Sequence, residues 1–373
     1  MAEDHQGHDP RGKADSGPSG GRFLTWWHLS LARRGTPRVY WFVGRTGEGM
    51  AQEGGTRPRM GERRERFLTS TWGALLAAAF CCLLWGSAFP CIKIGYALFG
   101  IADTDVASQM LFAGTRFLLA GIMVILFVSA ARRGPFAPRR ADVGPICLLA
   151  LFQTFGQYLF FYLGLAHAAG TTSSVIGASA SFLAILLSSL AFRQERLTGR
   201  KVAGCLLGFA GVVLINTGGS LDSPSFSFSP GGEGMILLST LCAAVSSCLI
   251  QRLSARHDPV LLSGWQFMMG GLGLMATGVA GGGTISPVRP GALLLLAYMA
   301  FISAAAYSIW SLLLSVNSVS RISVYGFMNP VFGFALSTVL LGEYQLVDPV
   351  RSICALALVS AGIVVVNRVG ARP

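Results

Sequence analysis

Long apolar stretches joined by short polar connections dominate the chain from about residue 70 to its end. Each stretch approaches the length of about 20 apolar residues that an α-helix needs to cross a bilayer. The pattern therefore predicts an all-α integral membrane protein with ten transmembrane helices. The ten segments cover residues 72–97, 106–130, 144–166, 171–192, 202–218, 233–252, 260–280, 291–314, 320–341 and 349–367.

The basic residues favour one side of this arrangement. If the first segment runs outward from the cytoplasm, the outer loops contain only Arg289 and Arg351, plus Lys93 if it reaches the surface. Because an excess of Lys and Arg keeps short loops in the cytoplasm, both termini are predicted to be cytoplasmic. The cytoplasmic loops and C-terminus then contain Arg132, Arg133, Arg139, Arg140, Arg193, Arg196, Arg200, Lys201, Arg252, Arg256, Arg321, Arg368 and Arg372.

The second half of the chain repeats motifs of the first. RFLLAG from Arg116 matches QFMMGG from Gln266, at an offset of 150 residues, and GVVLIN (211–216) matches GIVVVN (362–367), at an offset of 151. FLAILLSSLAFRQE, which ends at Glu195, matches NPVFGFALSTVLLGE, which ends at Glu343. Five helices per half is an odd number, so the second copy must insert upside down. Residues 67–218 and 219–373 are thus predicted to be two inverted five-helix repeats, an architecture of alternating-access transporters.

Composition supports the membrane assignment. Only 12% of the residues are charged, whereas 52% are hydrophobic and the mean hydropathy is +0.57. A soluble domain carries about 25% charged residues. The net charge of +12 does not predict nucleic-acid binding, because most of the basic residues flank apolar segments. The eight cysteines lie inside apolar runs without zinc-ligand spacing, so neither a metal nor another cofactor is expected.

The first 66 residues differ from the rest. They are rich in Gly, Arg and Pro and lack helical or strand periodicity, which predicts a disordered basic cytoplasmic tail. An alternative is that the assigned start is wrong and that translation begins at Met50 or Met60, because MGERRERFLTSTWG resembles an ordinary short basic start.

Arg116 is the most informative single residue. It lies about ten residues into the second segment, or ~15 Å deep at 1.5 Å per residue. A central arginine costs about 2.5–3.5 kcal/mol on insertion scales, so it should face a cavity or a partner. We expect it to bind substrate; the alternative is that it bonds helix-end carbonyls and stabilises the bundle.

The stretch LLWGSAFPCIK, residues 83–93, contains three further unusual residues. Pro90 is expected to break or kink the first helix, since proline removes a backbone hydrogen bond. Trp85 and Lys93 are eight residues apart and thus lie on nearly the same helix face, which we expect to form a cavity wall. Lys93 can instead extend to the outer interface.

Other polar and aromatic side chains are candidates for the same pocket. Gln153 and Gln157 are four residues apart and share a helix face. Asn329 precedes Pro330 inside the ninth segment, where a broken helix exposes carbonyls. Glu195 and Glu343 are expected to pair with a neighbouring arginine or to cap backbone N–H groups. The remaining candidates are Tyr158, Gln266 and Tyr307, with Trp310 and Tyr325 as weaker ones, and interhelical bonding or an interfacial position is the alternative for each.

Taken together, these motifs resemble the drug/metabolite transporter superfamily, specifically the ten-helix type with two EamA-like domains. The resemblance is carried by LLWGSAFPCIK (83–93), the Arg116 position, AFRQERLTGRKVAGCLLGFAGVVLIN (191–216), NPVFGFALSTVLLGE (329–343) and SAGIVVVN (360–367). It implies an inner-membrane carrier, often an exporter, of amino acids or other small metabolites.

The chain is therefore expected to be a secondary transporter of small polar solutes that carry a carboxylate or another anionic group. Its expected partners are this solute and the lipid bilayer, and a homodimer is an open alternative. No acidic residue is predicted inside a helix, which disfavours the first alternative, a drug or cation efflux carrier. A membrane enzyme or a scaffold is less favoured still, because neither a catalytic motif nor a partner domain is apparent.

Overall fold

The computed structural model describes residues 60–168, 170–216, 229–286, 289–341 and 349–367. All of them lie in one structural unit, Gly49–Pro373, and none of them is in a strand. Residues 1–59 of the predicted tail lie outside the described part of the chain. Met60–Thr69 forms helix α1, so the end of the tail is helical.

Twelve further helices follow α1 in the described residues. A π turn, Ala150–Gly156, joins α4 to α5, a second π turn, Pro230–Gly234, precedes α8, and a 3₁₀ turn, Val324–Phe327, joins α11 to α12. The helices are α2 (Thr71–Phe99), α3 (Val106–Arg132), α4 (Arg140–Leu149), α5 (Gln157–Leu165), α6 (Gly170–Leu190), α7 (Gly199–Asn216), α8 (Met235–Leu253), α9 (Pro259–Ala280), α10 (Ala292–Val316), α11 (Val319–Ser323), α12 (Met328–Leu341) and α13 (Pro349–Asn367).

Each of the ten predicted segments coincides with one helix or with one joined pair. Eight stretches of the described residues are long and apolar enough to cross a membrane. They correspond to every predicted segment except the fourth and fifth, for which the structure has α6 and α7, and in α6 the shorter stretch Val175–Leu190 is apolar. The all-helical membrane fold is thus confirmed, while the count of ten crossings stays a prediction.

Two prolines behave differently from each other. Helix α2 continues without interruption through Pro90, so the predicted break in the first segment is wrong, because packed neighbours let a membrane helix tolerate a proline. The ninth segment is helical throughout but changes type, from α11 through the 3₁₀ turn to α12, and binding of a ligand by carbonyls near Pro330 stays a prediction. Pro330 lies in the first turn of α12, where α-helical N–H groups have no partner within the helix.

Helices α3 and α9 pack antiparallel to each other. The sequence assigns them to equivalent positions of the two repeats. A Cβ added at Gly114 would lie 2.7 Å from the carbonyl oxygen of Gly271, and one added at Gly121 would lie 2.6 Å from that of Gly264. Since Gly264 follows Gly114 by 150 residues and Gly271 follows Gly121 by the same number, the contacts are reciprocal. This is the geometry of an inverted repeat around a pseudo-two-fold axis.

Helices α7 and α13 form a second pair of this kind. A Cβ at Gly204 would lie 2.8 Å from the carbonyl oxygen of Gly362, and one at Gly211 would lie 2.7 Å from that of Ala355. The offset is now 151 residues, and the contacts are again reciprocal. Small residues let membrane helices approach until their backbones touch, which replaces the hydrophobic driving force that is absent in lipid.

Substitution of Gly114 tests this packing. In the variant Gly114→Ala, the new methyl group would lie 2.6 Å from the Met275 nitrogen and 2.7 Å from the Gly271 oxygen. Overpacking of this kind costs about 1–3 kcal/mol, so we expect a lower unfolding temperature of the detergent-solubilised protein.

Gly144→Ala is the matched control, because a Cβ at Gly144, also in a helix, meets nothing within 4 Å. This variant should be at least as stable as the original protein, since alanine favours the helix by about 0.5–1 kcal/mol over glycine. Equal unfolding temperatures for the two variants would contradict the backbone contact between α3 and α9.

Candidate functional site

Four aromatic rings lie together at the centre of the bundle. Phe117 of α3 stacks on Phe267 of α9, with the ring centroids 5.4 Å apart. The Tyr158 ring lies 4.5 Å from that of Phe117, and the Tyr307 ring lies 5.1 Å from that of Phe267. The two tyrosine hydroxyls are hydrogen-bonded to each other at 3.0 Å. We call these four residues the ring cluster.

The ring cluster has the symmetry of the repeat. Phe267 follows Phe117 by 150 residues and Tyr307 follows Tyr158 by 149, which are the offsets that relate the two halves. Each phenylalanine therefore contacts its own counterpart, and so does each tyrosine. The pseudo-two-fold axis passes through the ring cluster, so this is where the two halves meet as equivalents.

Arg116 lies beside the ring cluster with only 4% of its surface exposed. Its guanidinium carbon is 4.4 Å from the centroid of the Phe117 ring and 5.6 Å from that of Tyr158. Its Nε atom is buried and has no hydrogen-bond partner among the described residues, none of which forms an ion pair with it. Two ring faces thus stabilise the charge, and its donors stay available for an anion.

Gln266 occupies the equivalent position in the second half, and it is fully buried. Its Oε1 atom accepts a hydrogen bond from the Thr154 hydroxyl at 2.7 Å, while its Nε2 atom has no partner among the described residues. The pseudo-two-fold axis therefore relates the charged Arg116 of the first half to the neutral amide Gln266 of the second half. The backbone of the site is symmetric, but its charge is not.

Trp85 of α2 contacts the ring cluster at Tyr307. Its ring centroid is 5.0 Å from that of Tyr307 and 5.1 Å from that of Trp310. The indole Nε1 atom is buried without a hydrogen-bond partner among the described residues. Gln157 lies next to the Tyr307 hydroxyl and is half-buried. The structure thus brings Trp85, Gln157 and Tyr307 together with Tyr158, and their role in substrate binding stays a prediction.

The π turn Ala150–Gly156 places two further polar side chains inside the bundle. Gln153 and Thr154 are both buried, and the Gln153 Oε1 atom has no partner among the described residues. A π turn has i→i+5 hydrogen bonds and occurs frequently at functional sites. Thr154 packs against α9, because a Cβ added at Gly270 of that helix would lie 2.5 Å from the Cβ of Thr154.

Two further predicted residues lie on α12 and α2. Asn329, the second residue of α12, is half-buried, and its Oδ1 atom has no partner among the described residues. Lys93 is exposed on the surface of α2, two turns along the helix from Trp85. The role of these two side chains in substrate binding stays a prediction.

Three residues of the site were not predicted from the sequence. Phe117 and Phe267 had a usable signal, because they directly follow Arg116 and Gln266 in the two motifs that reveal the repeat. Thr154 had none, since a threonine in an apolar helix is unremarkable until its partner is known.

The side chains that meet at this centre are suited to binding a ligand. Within the described ranges, no group of three or more His, Cys, Asp or Glu side chains is placed to hold a metal ion. The groups that converge are one cation, three amides, two phenols and several rings, a set that can bind an anion with an apolar body.

Comparison with known proteins identifies the same two halves. Residues 71–217 and 230–368 each match the family model described as the EamA-like transporter family. One solved crystal structure superposes on 80% of this chain and on 99% of its own chain, with a TM-score of 0.63 and 19% sequence identity. At that identity the similarity supports the fold alone.

Three related proteins are named as transporters. An uncharacterised transporter of Synechocystis sp. is 32% identical over 291 residues, which cover 73% of this chain and 83% of the relative. A probable amino-acid metabolite efflux pump of Salmonella typhimurium is 28% identical over 70% of this chain and 84% of its own. The uncharacterised inner membrane transporter YedA of Escherichia coli K12 is 27% identical over 75% of this chain and 86% of its own.

The hydrogen bond between the two tyrosines is open to a double-mutant test. Tyr158→Phe and Tyr307→Phe should each lower the unfolding temperature, because each leaves the other hydroxyl without its partner. The double variant should lose less stability than the sum of the two, with a coupling of about 0.5–1.5 kcal/mol.

Tyr298→Phe provides the comparison pair. Its hydroxyl bonds to the Ser87 hydroxyl at 3.0 Å, outside the ring cluster. Combined with Tyr158→Phe it should be additive within about 0.5 kcal/mol. Additivity of Tyr158→Phe and Tyr307→Phe as well would show that the two hydroxyls do not interact in the membrane protein.

Proposed function

The chain belongs to the EamA-like transporter family, and from that membership we propose that it is a secondary carrier that moves small solutes with a carboxylate or another anionic group. The proposed mechanism is alternating access, in which a central site opens to one side of the membrane at a time. The inverted pairing of α3 with α9 and of α7 with α13 supports this mechanism, because it gives two equivalent halves around one central site.

The unpartnered charge of Arg116 carries the assignment of an anionic substrate. An arginine at the middle of a membrane helix is costly, and it persists where it lines a substrate path or has a counter-ion. Among the described residues Arg116 has ring faces on it but no carboxylate. A guanidinium binds a carboxylate through two parallel hydrogen bonds, which fits its free donors.

The rings beside Arg116 support a solute with an apolar body attached to the anionic group, as in an amino acid or its derivative. Trp85 and Tyr158 are both half-buried and keep part of their surface open. Their faces suit a carbon skeleton, while the Tyr158 and Tyr307 hydroxyls can hydrogen-bond a polar substituent.

A drug or cation efflux carrier of the same superfamily is the second candidate. Aromatic rings bind cations, which favours this function. Arg116 opposes it, because the charge next to Phe117 and Tyr158 would repel a cation at those faces. We therefore place the anionic solute first, and the substrate screen below separates the two.

The relatives and the loop charges support a direction of transport and an orientation in the membrane. The Salmonella relative is named an efflux pump and the E. coli relative an inner membrane transporter, which supports export across the inner membrane. The Lys and Arg bias of the loops supports cytoplasmic termini. Homodimerisation stays a prediction. The transporter names of the family and its relatives support a carrier over an enzyme.

The test is uptake into proteoliposomes that contain the purified full-length protein, screened with amino acids, organic acids and cationic dyes. We expect carboxylates to be transported. Arg116→Ala should reduce their transport by about 10–100-fold, which corresponds to the loss of a charged hydrogen-bond pair of about 1.5–3 kcal/mol. Arg116→Lys should keep part of the activity, because it retains the charge but not the paired donors.

Arg140→Ala is the matched control, since Arg140 is an exposed arginine at the start of α4. Its transport rate should equal that of the original protein. Full carboxylate transport by Arg116→Ala would overturn the role of this residue. Transport of dyes alone would overturn the anionic substrate and favour the second candidate.

A further inference from the structure

Glu195 is a nearly buried carboxylate outside the site described above. It lies in the loop between α6 and α7, and its side chain is 10% exposed. Three side chains and one backbone amide donate hydrogen bonds to it. These are Ser188 Oγ at 2.6 Å, Lys201 Nζ at 2.8 Å and Ser320 N at 2.9 Å, together with the hydroxyl of Ser320.

The surroundings keep this carboxylate ionised. Although burial opposes the charge, hydrogen bonds from Lys201, Ser188 and Ser320 hold the pKa of Glu195 below its ordinary value. Lys201 is buried as well, and its ammonium group also donates to the Arg196 carbonyl oxygen at 2.8 Å. Glu195 is therefore a charged acceptor at neutral pH, with its counter-ion on the same half of the chain.

Ser320 belongs to the other half. It is the second residue of α11, two residues after the N-cap residue Ser318, at the start of the ninth segment. The neighbouring loop residue Gln194 donates a hydrogen bond to the Cys248 carbonyl oxygen of α8 at 2.8 Å. One loop of the first repeat thus holds two helices of the second repeat.

The same end of the bundle contains the three ion pairs found among the described residues. Besides the pair of Glu195 with Lys201, Arg132 bonds to Asp258 at 2.8 Å and His257 to Asp142 at 2.5 Å. The latter two also connect the first half with the second. This is the end predicted to be cytoplasmic.

Resting on the proposed carrier function, we propose that the Glu195–Ser320 contact is the gate that closes the predicted cytoplasmic end, and that it separates when the carrier opens to that side. Glu195 is a positioning residue in this role and does not touch the substrate.

The composition of the contact makes it reversible. When α11 moves away, Glu195 keeps Ser188 and Lys201, both from its own half, so the carboxylate is not left without partners. Ser320 loses two bonds to Glu195, and water that enters the open end can replace them. A gate of this kind opens without leaving a buried charge unpaired, which is the costly outcome for an ion pair split between the moving parts.

Native cysteines report whether the gate is open. Cys205 and Cys248 are fully buried and lie within electrostatic range of Glu195. Cys91 is also buried, but it lies in the later part of α2, in a separate apolar cluster with Tyr96 and Phe112. A maleimide reagent should therefore react with Cys205 and Cys248 only when the end near Glu195 opens, and with Cys91 only on general unfolding.

The experiment measures labelling of these thiols by N-ethylmaleimide in the full-length protein in nanodiscs, with residue-resolved mass spectrometry. Glu195→Gln keeps the shape but weakens the acceptor, and we expect the labelling rates of Cys205 and Cys248 to rise about tenfold. Ser320→Ala, which removes only the hydroxyl donor, should raise them less. Arg196→Gln is the matched loop control, because its side chain is exposed, and it should change nothing.

Unchanged labelling of Cys205 and Cys248 in Glu195→Gln would overturn the gate. If Cys91 is labelled as well in Glu195→Gln, that variant has lost its fold, and the milder variant Ser320→Ala takes its place in the test. An unchanged labelling rate of Cys248 in Ser320→Ala would then overturn the gate. The measurement needs no substrate. If the labelling rates of Cys205 and Cys248 rise while that of Cys91 does not, and no carboxylate is transported, the result would contradict the proposed function and not the gate.

Discussion

The stacking of Phe117 on Phe267 joins the two halves of the bundle at a level where each half meets its own copy. The tyrosine pair extends this contact, and the reciprocal glycine contacts of α3 with α9 hold the two helices close enough for the rings to touch. Arg116 can be buried without an ion pair among the described residues because the faces of Phe117 and Tyr158 cover it. Without the ring cluster, the buried charge of Arg116 would lose the two ring faces that stabilise it.

The two halves are equivalent in backbone and different in chemistry. At the position of Arg116 the second half has Gln266, which bonds to Thr154 of the first half. The third segment contains a π turn at residues 150–156, whereas α10, the corresponding helix of the second half, is regular. The chemical difference concentrates the charge of the site on one repeat. A solute with one anionic end would therefore bind in a single orientation.

Much of the fold could be predicted from the sequence, because long apolar segments and their flanking cations are constraints that the bilayer imposes directly. Arg116 was identifiable for the same reason, since a charge within hydrocarbon is conspicuous. The only signal for Phe117 and Phe267 was their place directly after Arg116 and Gln266, because phenylalanine is common in any membrane helix and the stacking of the two rings is visible only in the structure. The π turn has no composition signal, and the effect of Pro90 on its helix depended on neighbours that the local sequence does not reveal. The distance of Lys93 from Arg116 likewise depends on how α2 packs.

The glycine contacts between α3 and α9 also bear on how such a bundle can move. Interdigitated side chains fix the crossing angle of two helices, because ridges must fit grooves. Where Gly114 meets Gly271 and Gly121 meets Gly264, backbone touches backbone, and the Met268, Met275 and Val124 side chains pack beside the contact. If the halves rotate relative to each other about this crossing, the displacement grows with distance from it. Arg116, within a turn of the pivot, would then stay nearly stationary, whereas residues at the loop ends would travel furthest.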